Sequence, residues 1–448
     1  MSLPRYPAYR DREGEWLSAV PAHWHLMKLR RCVALNPSKG EAAHVPRESE
    51  VTFLPMEAVG EDGRLDLSRT RAISEVETGY TYFRDGDVTI AKITPCFENG
   101  KGALMVGLTQ GIGFGTTELI VLRPDRTRME ASYLNWLVRS PGFRRQGEAS
   151  MYGAGGQKRV PDDFVRDLQW AVPPLDEQSV IATFLDRETA KIDALIAEQE
   201  KLIALLAEKR QATISHAVTR GLNPDAPMKD SGVPWLGEVP AHWGVSALSY
   251  LASIETGSTP DRAEPRYWNG SIPWLKTGEI NWAPIRDAEE FITEAGLANS
   301  AAKIAGPGTL LMAMYGQGVT RGRVALLEIE ATYNQACAAI RFGPRLASEF
   351  GRYFFMAAYD HVRDAGNETS QMNLSAGLIA KIRLPVPPVD EQLPIVRLLD
   401  SETAKLDVLQ AEAERAIALL KERRSALIAA AVTGQIDVRG AVPTCEEA

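Results

Sequence analysis

The sequence lacks the signals of several large protein classes. Across its 448 residues, no apolar run approaches the roughly 18–20 residues that span a bilayer. The first residues, MSLPRYPAYRDREGEW, are too polar for the core of a signal peptide. The four cysteines, Cys32, Cys96, Cys337 and Cys445, are widely scattered, which argues against a disulfide framework or a paired-cysteine zinc site. We therefore expect a cytoplasmic protein with reduced thiols.

Signatures of autonomous catalysis are also missing. The chain has no phosphate loop of the form G-x-x-x-x-G-K-[ST], Rossmann glycine fingerprint, G-x-S-x-G elbow, H-E-x-x-H helix or kinase signature. The glycine-rich pieces MYGAGGQKRV (151–160) and MYGQGVTRGRV (314–324) do not follow a strand as nucleotide sites require, so we interpret them as loops. The acidic stretch VPDDFVRDLQW lacks the lysine of a nuclease site. We predict no catalytic residue, and no cofactor or metal on this chain.

Composition sets only broad limits. With 45% hydrophobic and 24% charged residues the chain is typical of globular proteins. Its length indicates two or three domains. The net charge of −8 gives no hint of a nucleic-acid partner, but a local basic surface is enough to bind DNA.

Three motifs occur twice. VPAHW stands at 20–24 and 239–243, VPPLDEQ at 172–178 returns as VPPVDEQ at 386–392, and LDRETAKID at 185–193 returns as LDSETAKLD at 399–407. The intervening blocks, 25–171 and 244–385, resemble each other only faintly. The pattern indicates a frame, formed by these motifs, that occurs twice in the chain. The two intervening blocks, which we call the fillings, are not repeated in sequence.

Each frame contains a long stretch typical of a helix, from about Asp176 to Thr219 and from about Asp390 to Thr433. The two aspartates fit N-caps, and Gly221 and Gly434 fit the stops. About 44 residues would form a rod of roughly 65 Å. Apolar residues at alternating three- and four-residue spacing predict a coiled-coil seam, the alternative being two buried helices in a bundle. The seam residues are Ile181, Leu185, Ile192, Leu195, Leu202 and Leu206, then Ile395, Leu399, Leu406, Leu409, Ala413, Ala416 and Leu420.

The VPAHW repeat is interpreted as a structural joint at the entrance to each filling. Trp24 and Trp243 would be buried anchors. His23 and His242 would be hydrogen-bonded rather than metal ligands, because no Cys or carboxylate stands at metal-ligand spacing. With pseudo-twofold symmetry, the end of the second helix should lie beside residues 10–24.

The fillings carry residues suited to DNA. Residues 139–160 hold five basic side chains against one acidic one, Glu148, and end in Gln-Lys-Arg after a glycine-rich loop. Arg and Lys engage phosphates and guanine edges, and Gln can bridge adenine. The predicted DNA-binding residues are Lys92, Thr94, Arg144, Arg145, Gln157, Lys158, Arg159, Lys276, Gln317, Thr320, Arg321, Gln371 and Asn373.

Together these features resemble the DNA specificity subunit of type I restriction-modification systems. The resemblance covers nearly the whole chain. It is carried by the duplicated PP(L/V)DEQ, by GSTPDRAEPRYWNGSIPWLKTGEI at 257–280, and by the late loops GGQKRVP and TSQMNLS. The first filling has no close counterpart of PRYWNGSIPWLKTGEI and carries FLPMEAVGEDGRLD at 53–66 instead.

The resemblance implies two target recognition domains that each read one half of a split DNA sequence, with paired helices fixing the half-site spacing. It implies two methyltransferase subunits, which supply S-adenosylmethionine and methylate adenine, and motor-nuclease subunits that use ATP and Mg and cut unmethylated DNA. The alternatives are a coiled-coil scaffold with two protein-binding heads and an autonomous nucleic-acid enzyme, which the missing motifs disfavour.

We expect an α+β fold in which two mixed α/β recognition domains are separated by two long antiparallel coiled-coil helices. The expected segments are a first recognition domain (1–171), a first helix (172–222), a second recognition domain (223–385), a second helix (386–435) and a tail (436–448).

Overall fold

Two units make up the chain, and each is described by itself. The structure is a computed structural model that describes residues 3–11, 19–154, 156–316, 319–364 and 373–441. The first unit comprises residues 1–199 and 415–448, and the second comprises residues 200–414. Among the described residues, no helix is long and apolar enough to cross a membrane.

The first unit is built on two four-stranded sheets. Its strands are Tyr9–Asp11 (β1), Ala19–Pro21 (β2), His25–Lys28 (β3), Val33–Leu35 (β4), Glu50–Leu54 (β5), Thr70–Ala72 (β6), Thr81–Arg84 (β7), Val88–Ala91 (β8), Gly102–Leu104 (β9), Ile112–Gly115 (β10), Leu119–Pro124 (β11) and Gln169–Val172 (β12). Its helices are Ile73–Val76 (α1), Ala131–Arg139 (α2), Pro141–Ser150 (α3), Asp162–Asp167 (α4) and the first part of Leu175–Arg220 (α5). The sheet orders are β4-β11-β8-β9 and β6-β5-β10-β7, and β1-β2 and β12-β3 are two-stranded pairs.

Among the described residues, the second unit follows the same order of elements except that it has no strand equivalent to β7. Its strands are Met228–Asp230 (β13), Glu238–Pro240 (β14), Gly244–Ala247 (β15), Ala252–Thr256 (β16), Trp268–Leu275 (β17), Glu290–Ile292 (β18), Leu310–Ala313 (β19), Val324–Leu326 (β20), Thr332–Tyr333 (β21), Cys337–Phe342 (β22) and Arg383–Val386 (β23). Its helices are Glu294–Ala298 (α6), Ser348–Ala357 (α7), Tyr359–Asp364 (α8), Ala376–Lys381 (α9) and the first part of Val389–Val432 (α10).

The fillings therefore share one architecture, although their sequences resemble each other only faintly. The sheet β16-β22-β19-β20 repeats the order of β4-β11-β8-β9. Each unit also has one parallel strand pair, which joins Phe53 to Phe114 in the first and Trp274 to Thr332 in the second. FLPMEA thus occupies the place of PWLKTGE. Comparison of identical residues between the two fillings did not reveal this shared architecture. A strand needs only the right alternation of buried side chains, and many different residues can supply it.

The VPAHW motif is joined to the Glu of the DEQ motif. In the first unit the Trp24 indole N–H donates to Glu177 at 2.9 Å, and His23 Nε2 lies 2.8 Å from the other carboxylate oxygen. In the second unit Trp243 donates to Glu391 at 2.9 Å, and His242 Nε2 lies 2.7 Å from it. The interpretation of both histidines as joint residues is confirmed.

The Gln of the DEQ motif ties down the backbone that precedes α2 or α7. The Gln178 amide donates to the carbonyl oxygens of Arg128 and Pro173 and accepts from the Glu130 N–H. Gln392 makes the same three bonds to Arg345, Pro387 and Ala347 in the second unit. Both amides are buried, so water cannot serve as their hydrogen-bond partner. These bonds to the backbone take the place of water.

The long helices begin and end within one residue of the expected positions. Asp176 and Asp390 lie in the first turns and not at the N-caps, so that detail was wrong. Gly221 and Gly434 follow the helix ends with φ of 74° and 71°, which favours glycine. The Tyr9 hydroxyl donates to the Gly434 carbonyl at 3.0 Å. The end of α10 therefore lies beside the first joint, as the pseudo-symmetry predicted.

Each unit combines the start of one long helix with the end of the other. The first core contains Ile181 and Leu185 of α5 together with Ile428 and Val432 of α10. Starting from this core, α5 runs forward to Asp193 and α10 runs backward to Arg424, whose Nε donates to Asp193 at 2.8 Å. The two segments are therefore antiparallel. In the second unit Arg210 forms the equivalent ion pair with Asp407.

The predicted seam is buried only in part. Ile181, Leu185 and Ile192 are buried, whereas Leu195, Leu202 and Leu409 are 53%, 39% and 46% exposed. The prediction was wrong at these three leucines. Spacing along one helix shows which residues share a face, but it does not show how far a neighbouring element covers that face.

We predict that Glu177→Ala destabilises the protein more than Glu391→Ala. Glu177 is 4% exposed and accepts hydrogen bonds from Trp24 and Tyr6, so its removal leaves buried donors without an acceptor. We expect a loss of about 3 kcal/mol in the free energy of unfolding. The Glu391 side chain is 39% exposed, so water can replace it. Urea denaturation followed by tryptophan fluorescence measures both losses, and equal losses would contradict the prediction.

Candidate nucleic-acid interface

In the first unit, predicted site residues gather just beyond the end of β8. The Val160 N–H donates to the Lys92 carbonyl at 2.8 Å, and the Thr94 N–H donates to the Lys158 carbonyl at 3.0 Å. The segment 92–94 therefore lies beside 158–160. This brings together Lys92, Thr94 and the Gln-Lys-Arg run, which are about 65 residues apart in the chain.

The Gln-Lys-Arg run forms one arm of a short hairpin. Tyr152 and Arg159 exchange two backbone hydrogen bonds, of 3.2 and 2.9 Å. Gly153 adopts φ of 137°, and a Cβ there would lie 2.7 Å from the Gln157 carbonyl, so the turn requires glycine. Gln157 and Lys158 are exposed on this hairpin. Their side chains are placed to meet a partner from solvent.

Arg159 has an internal partner. Its Nε and Nη2 donate to the two carboxylate oxygens of Glu118 at 3.0 and 2.8 Å, a bidentate pair. The hydrogen bond from Arg159 is the main cause that lowers the pKa of Glu118, so this carboxylate is charged at neutral pH. In this conformation the Arg159 guanidinium is committed to Glu118.

Arg144 and Arg145 on α3 have different environments. The Arg144 guanidinium covers Gly100, to whose carbonyl it donates at 3.2 Å, and a Cβ at Gly100 would collide with it. Burial, and then the nearby Arg424, lower the pKa of Arg144. Arg145 is exposed and its Nε bonds only to the carbonyl of Pro141 on its own helix, at 3.4 Å. The structure does not bring either arginine into the hairpin.

The second unit has a loop at the equivalent place, after β19. The Leu374 N–H donates to the Met314 carbonyl at 3.0 Å, which brings the exposed Asn373 beside the loop that begins at Met314. Gly316 adopts φ of 146°, and a Cβ there would lie 2.9 Å from the half-buried Thr320. Gln317 and Gln371 lie outside the described residues. This loop follows β19 but leads to the antiparallel strand β20 and not to a helix, so it does not have the strand-to-helix turn of a nucleotide site.

Of two other predicted residues of the second unit, Arg321 is buried and Lys276 is paired with two glutamates. Arg321 is only 8% exposed, too buried to meet DNA in this conformation. Lys276 Nζ lies 3.1 Å from Glu289 and 2.9 Å from Glu290, and the hydrogen bond that it donates to Glu290, followed by the one to Glu289, raises the pKa of Lys276. Sequence alone identified the charges but not the partners that hold them.

The long motif at 257–280 builds the framework around Lys276. Arg262 lies over the rings of Trp268 and Trp274, at 3.8 and 4.7 Å from their centroids, and pairs with Glu290. Because Glu290 also binds Lys276, the motif forms one connected cluster of aromatic rings and charges. Its residues position the strand that leads to Lys276.

Sequence reasoning missed two tyrosines beside these loops. Tyr152 is 67% exposed and Tyr315 is 39% exposed, and each stands immediately before the positive-φ glycine of its loop. The tripeptide Met-Tyr-Gly at 151–153 and 314–316 was the available signal. Exposed aromatic side chains at a polar loop are common in binding surfaces.

Comparison with known proteins finds similarity over part of the sequence and over most of the fold. A family model described as the type I restriction modification DNA specificity domain matches residues 240–416, which include the second loop and the whole of the long motif at 257–280. Residues 240–416 of the chain are therefore similar to the domain that this family model describes.

Two relatives from Escherichia coli carry the family's name. The chain is 36% identical over 206 residues to the type I restriction enzyme EcoEI specificity subunit, which covers 46% of this chain and 34% of that relative. It is 38% identical over 193 residues to the EcoAI specificity subunit, which covers 43% of this chain and 32% of the relative. The matches span about a third of the length of these relatives.

A solved structure shares the fold. It was reported for complex assembly and conformational transition of the type I R-M system, and one of its chains superposes with a TM-score of 0.71. The superposition covers 93% of this chain and 99% of that chain at 19% sequence identity. The likeness in fold to this solved structure therefore extends over both halves of the chain, including the half that the family model does not match.

We predict that Arg144→Ala destabilises the first unit and that Arg145→Ala does not. The Arg144 side chain packs on the 93–101 loop, so its loss removes both packing and a hydrogen bond and should lower the free energy of unfolding by about 1–2 kcal/mol. The neighbouring exposed Arg145 is the matched control. Thermal and urea denaturation measure both, and unchanged stability of the Arg144 variant would contradict the assignment.

Proposed function

We propose that this chain is the DNA-recognition subunit of a type I restriction-modification complex. Each unit reads one half of a bipartite sequence, and this reading directs adenine methylation or cleavage by partner subunits. The observation that carries the proposal is that the two units have the same fold and that each has a loop site at the same place in that fold. A bipartite target requires two such sites on one chain.

The chemistry of the exposed side chains fits DNA. Gln157 and Asn373 carry amides that can bind adenine through two hydrogen bonds, and Lys158 carries a charge suited to phosphate or guanine. They are exposed at the ends of loops that β8 and β19 anchor. These side chains differ between the units, with Gln157 and Lys158 in the first and Asn373 in the second, as two different half-sites require.

We infer that partners supply the chemistry. In this proposal, methyltransferase subunits bring S-adenosylmethionine, and motor-nuclease subunits bring ATP and Mg. Exposed apolar residues of the long helices, among them Leu205, Val408 and Leu409, favour partner docking there, since exposed apolar groups often mark protein interfaces. A protein-binding scaffold would share this feature but would not need the amide-bearing loops.

The first functional prediction concerns activity. The purified chain alone should transfer no labelled methyl group to DNA, and addition of its methyltransferase partner should give methylation at one bipartite sequence. Mapping of methylated adenines in host DNA, with and without this gene, identifies that sequence. Methyl transfer by the chain alone, or a methylation pattern independent of this gene, would contradict the proposal.

The second functional prediction separates the half-sites. The double variant Gln157→Ala, Lys158→Ala should lose discrimination at one half-site, whereas Asn373→Ala should lose it at the other. Each lost base contact should cost about 1–3 kcal/mol of discrimination. Methylation rates on duplexes altered in one half at a time measure this. The two variants serve as controls for each other, and full discrimination by both would exclude these loops from the reading surface.

A further inference from the structure

We propose that Glu118 is a positioning residue for the first half-site. It holds Arg159 so that the neighbouring Gln157 and Lys158 meet DNA in a fixed geometry, and Arg159 itself does not read a base. This inference rests on the function proposed above and assigns the division of work within one of its loops.

Glu118 is fixed by the sheet beneath it. It immediately precedes β11, an interior strand between β4 and β8. Its carbonyl accepts from the Lys92 N–H at 2.8 Å, and its own N–H donates to the Thr116 hydroxyl at 3.3 Å. The carboxylate therefore projects from the most firmly held part of the site.

Arg159 lies in the hairpin arm, one residue from Lys158 and two from Gln157. The backbone bonds of Tyr152 and Thr94 hold the base of this arm, and the bidentate pair with Glu118 adds a side-chain connection to the sheet. A planar guanidinium bound through two nitrogens fixes both distance and orientation. Loss of this pair would leave the base of the hairpin attached but its end less constrained.

The sign of the charge distinguishes positioning from simple attraction. A carboxylate beside a DNA-binding loop repels phosphates, so neutralising Glu118 should maintain or strengthen general DNA affinity. If Glu118 positions the hairpin, the same change should weaken discrimination. These opposite effects from one substitution separate the two roles.

The second unit is arranged differently. The position equivalent to Arg159, 214 residues later, is Asn373. The position equivalent to Glu118 is the residue immediately before β22, which is Ala336, 218 residues later. This pair of charges is therefore not repeated. An effect of Glu118 should therefore be confined to one half-site. A matched pair for control exists elsewhere in the second unit, where Arg286 binds both oxygens of Glu328 at 2.6 and 3.2 Å.

The test uses the full chain assembled with its methyltransferase. Glu118→Gln, Arg159→Ala, the charge exchange Glu118→Arg with Arg159→Glu, and the control Glu328→Gln are compared on duplexes altered in one half-site. Binding of unrelated DNA is measured over a range of salt concentrations. Circular dichroism and thermal melting establish that each variant is folded, and the charge exchange provides a second test if Glu118→Gln does not fold.

We expect Glu118→Gln to lower discrimination at one half-site about tenfold, a change within the range of one base contact. Discrimination at the other half-site and affinity for unrelated DNA should not fall, the charge exchange should restore most of the loss, and Glu328→Gln should have no effect. If Glu118→Gln keeps full discrimination while Arg159→Ala loses it, Arg159 reads the base and the inference is overturned. If the wild-type complex shows no discrimination, the proposed function itself fails.

Discussion

The fold depends on a carboxylate that is buried with its donors. Glu177 lies at the start of α5 and accepts the indole N–H of Trp24, which closes the entrance to the first filling. Glu391 does the same for Trp243 in the second unit. A buried carboxylate such as that of Glu177 is costly unless its oxygens are satisfied. In both units the tryptophan is buried and its indole N–H needs an acceptor, although Glu391 itself is 39% exposed. The tryptophan and the helix start must therefore stay together, which explains why VPAHW and DEQ are repeated as a pair about 150 residues apart.

With the joint fixed, the rest of each unit has limited freedom. Next to this carboxylate, Gln178 or Gln392 ties the start of the long helix to the backbone before α2 or α7. Helix α2 or α7 in turn packs against the sheet that contains β8 or β19, the strand that leads to the candidate DNA-binding loop. The loop at the end of β8 or β19 is thus connected to the joint through a short series of packed elements. The two units share this series of elements although the sequences of their fillings resemble each other only faintly.

Much of the frame could be predicted from the sequence, because its motifs depend on specific hydrogen bonds. The histidine and tryptophan of VPAHW and the bounds of α5 and α10 are examples. The common architecture of the fillings could not, since Phe53 and Trp274 fill equivalent strand positions without being identical. Among the candidate site residues, the sequence found the exposed Gln157 and Lys158. It did not show that Arg321 is buried or that Arg159 is paired, because neither depends on residues nearby in the chain.

The sharing of the long helices also affects the order in which the protein can fold during synthesis. The second unit is one continuous stretch, residues 200–414. All of its core residues have therefore been synthesised once the ribosome has passed residue 414. The first unit begins earlier in the chain but needs Ile428, Val432 and Val438 to complete its core. The N-terminal half must therefore wait, with part of its apolar surface uncovered, until almost the whole chain has been translated. The unit that is synthesised first is the last to be completed.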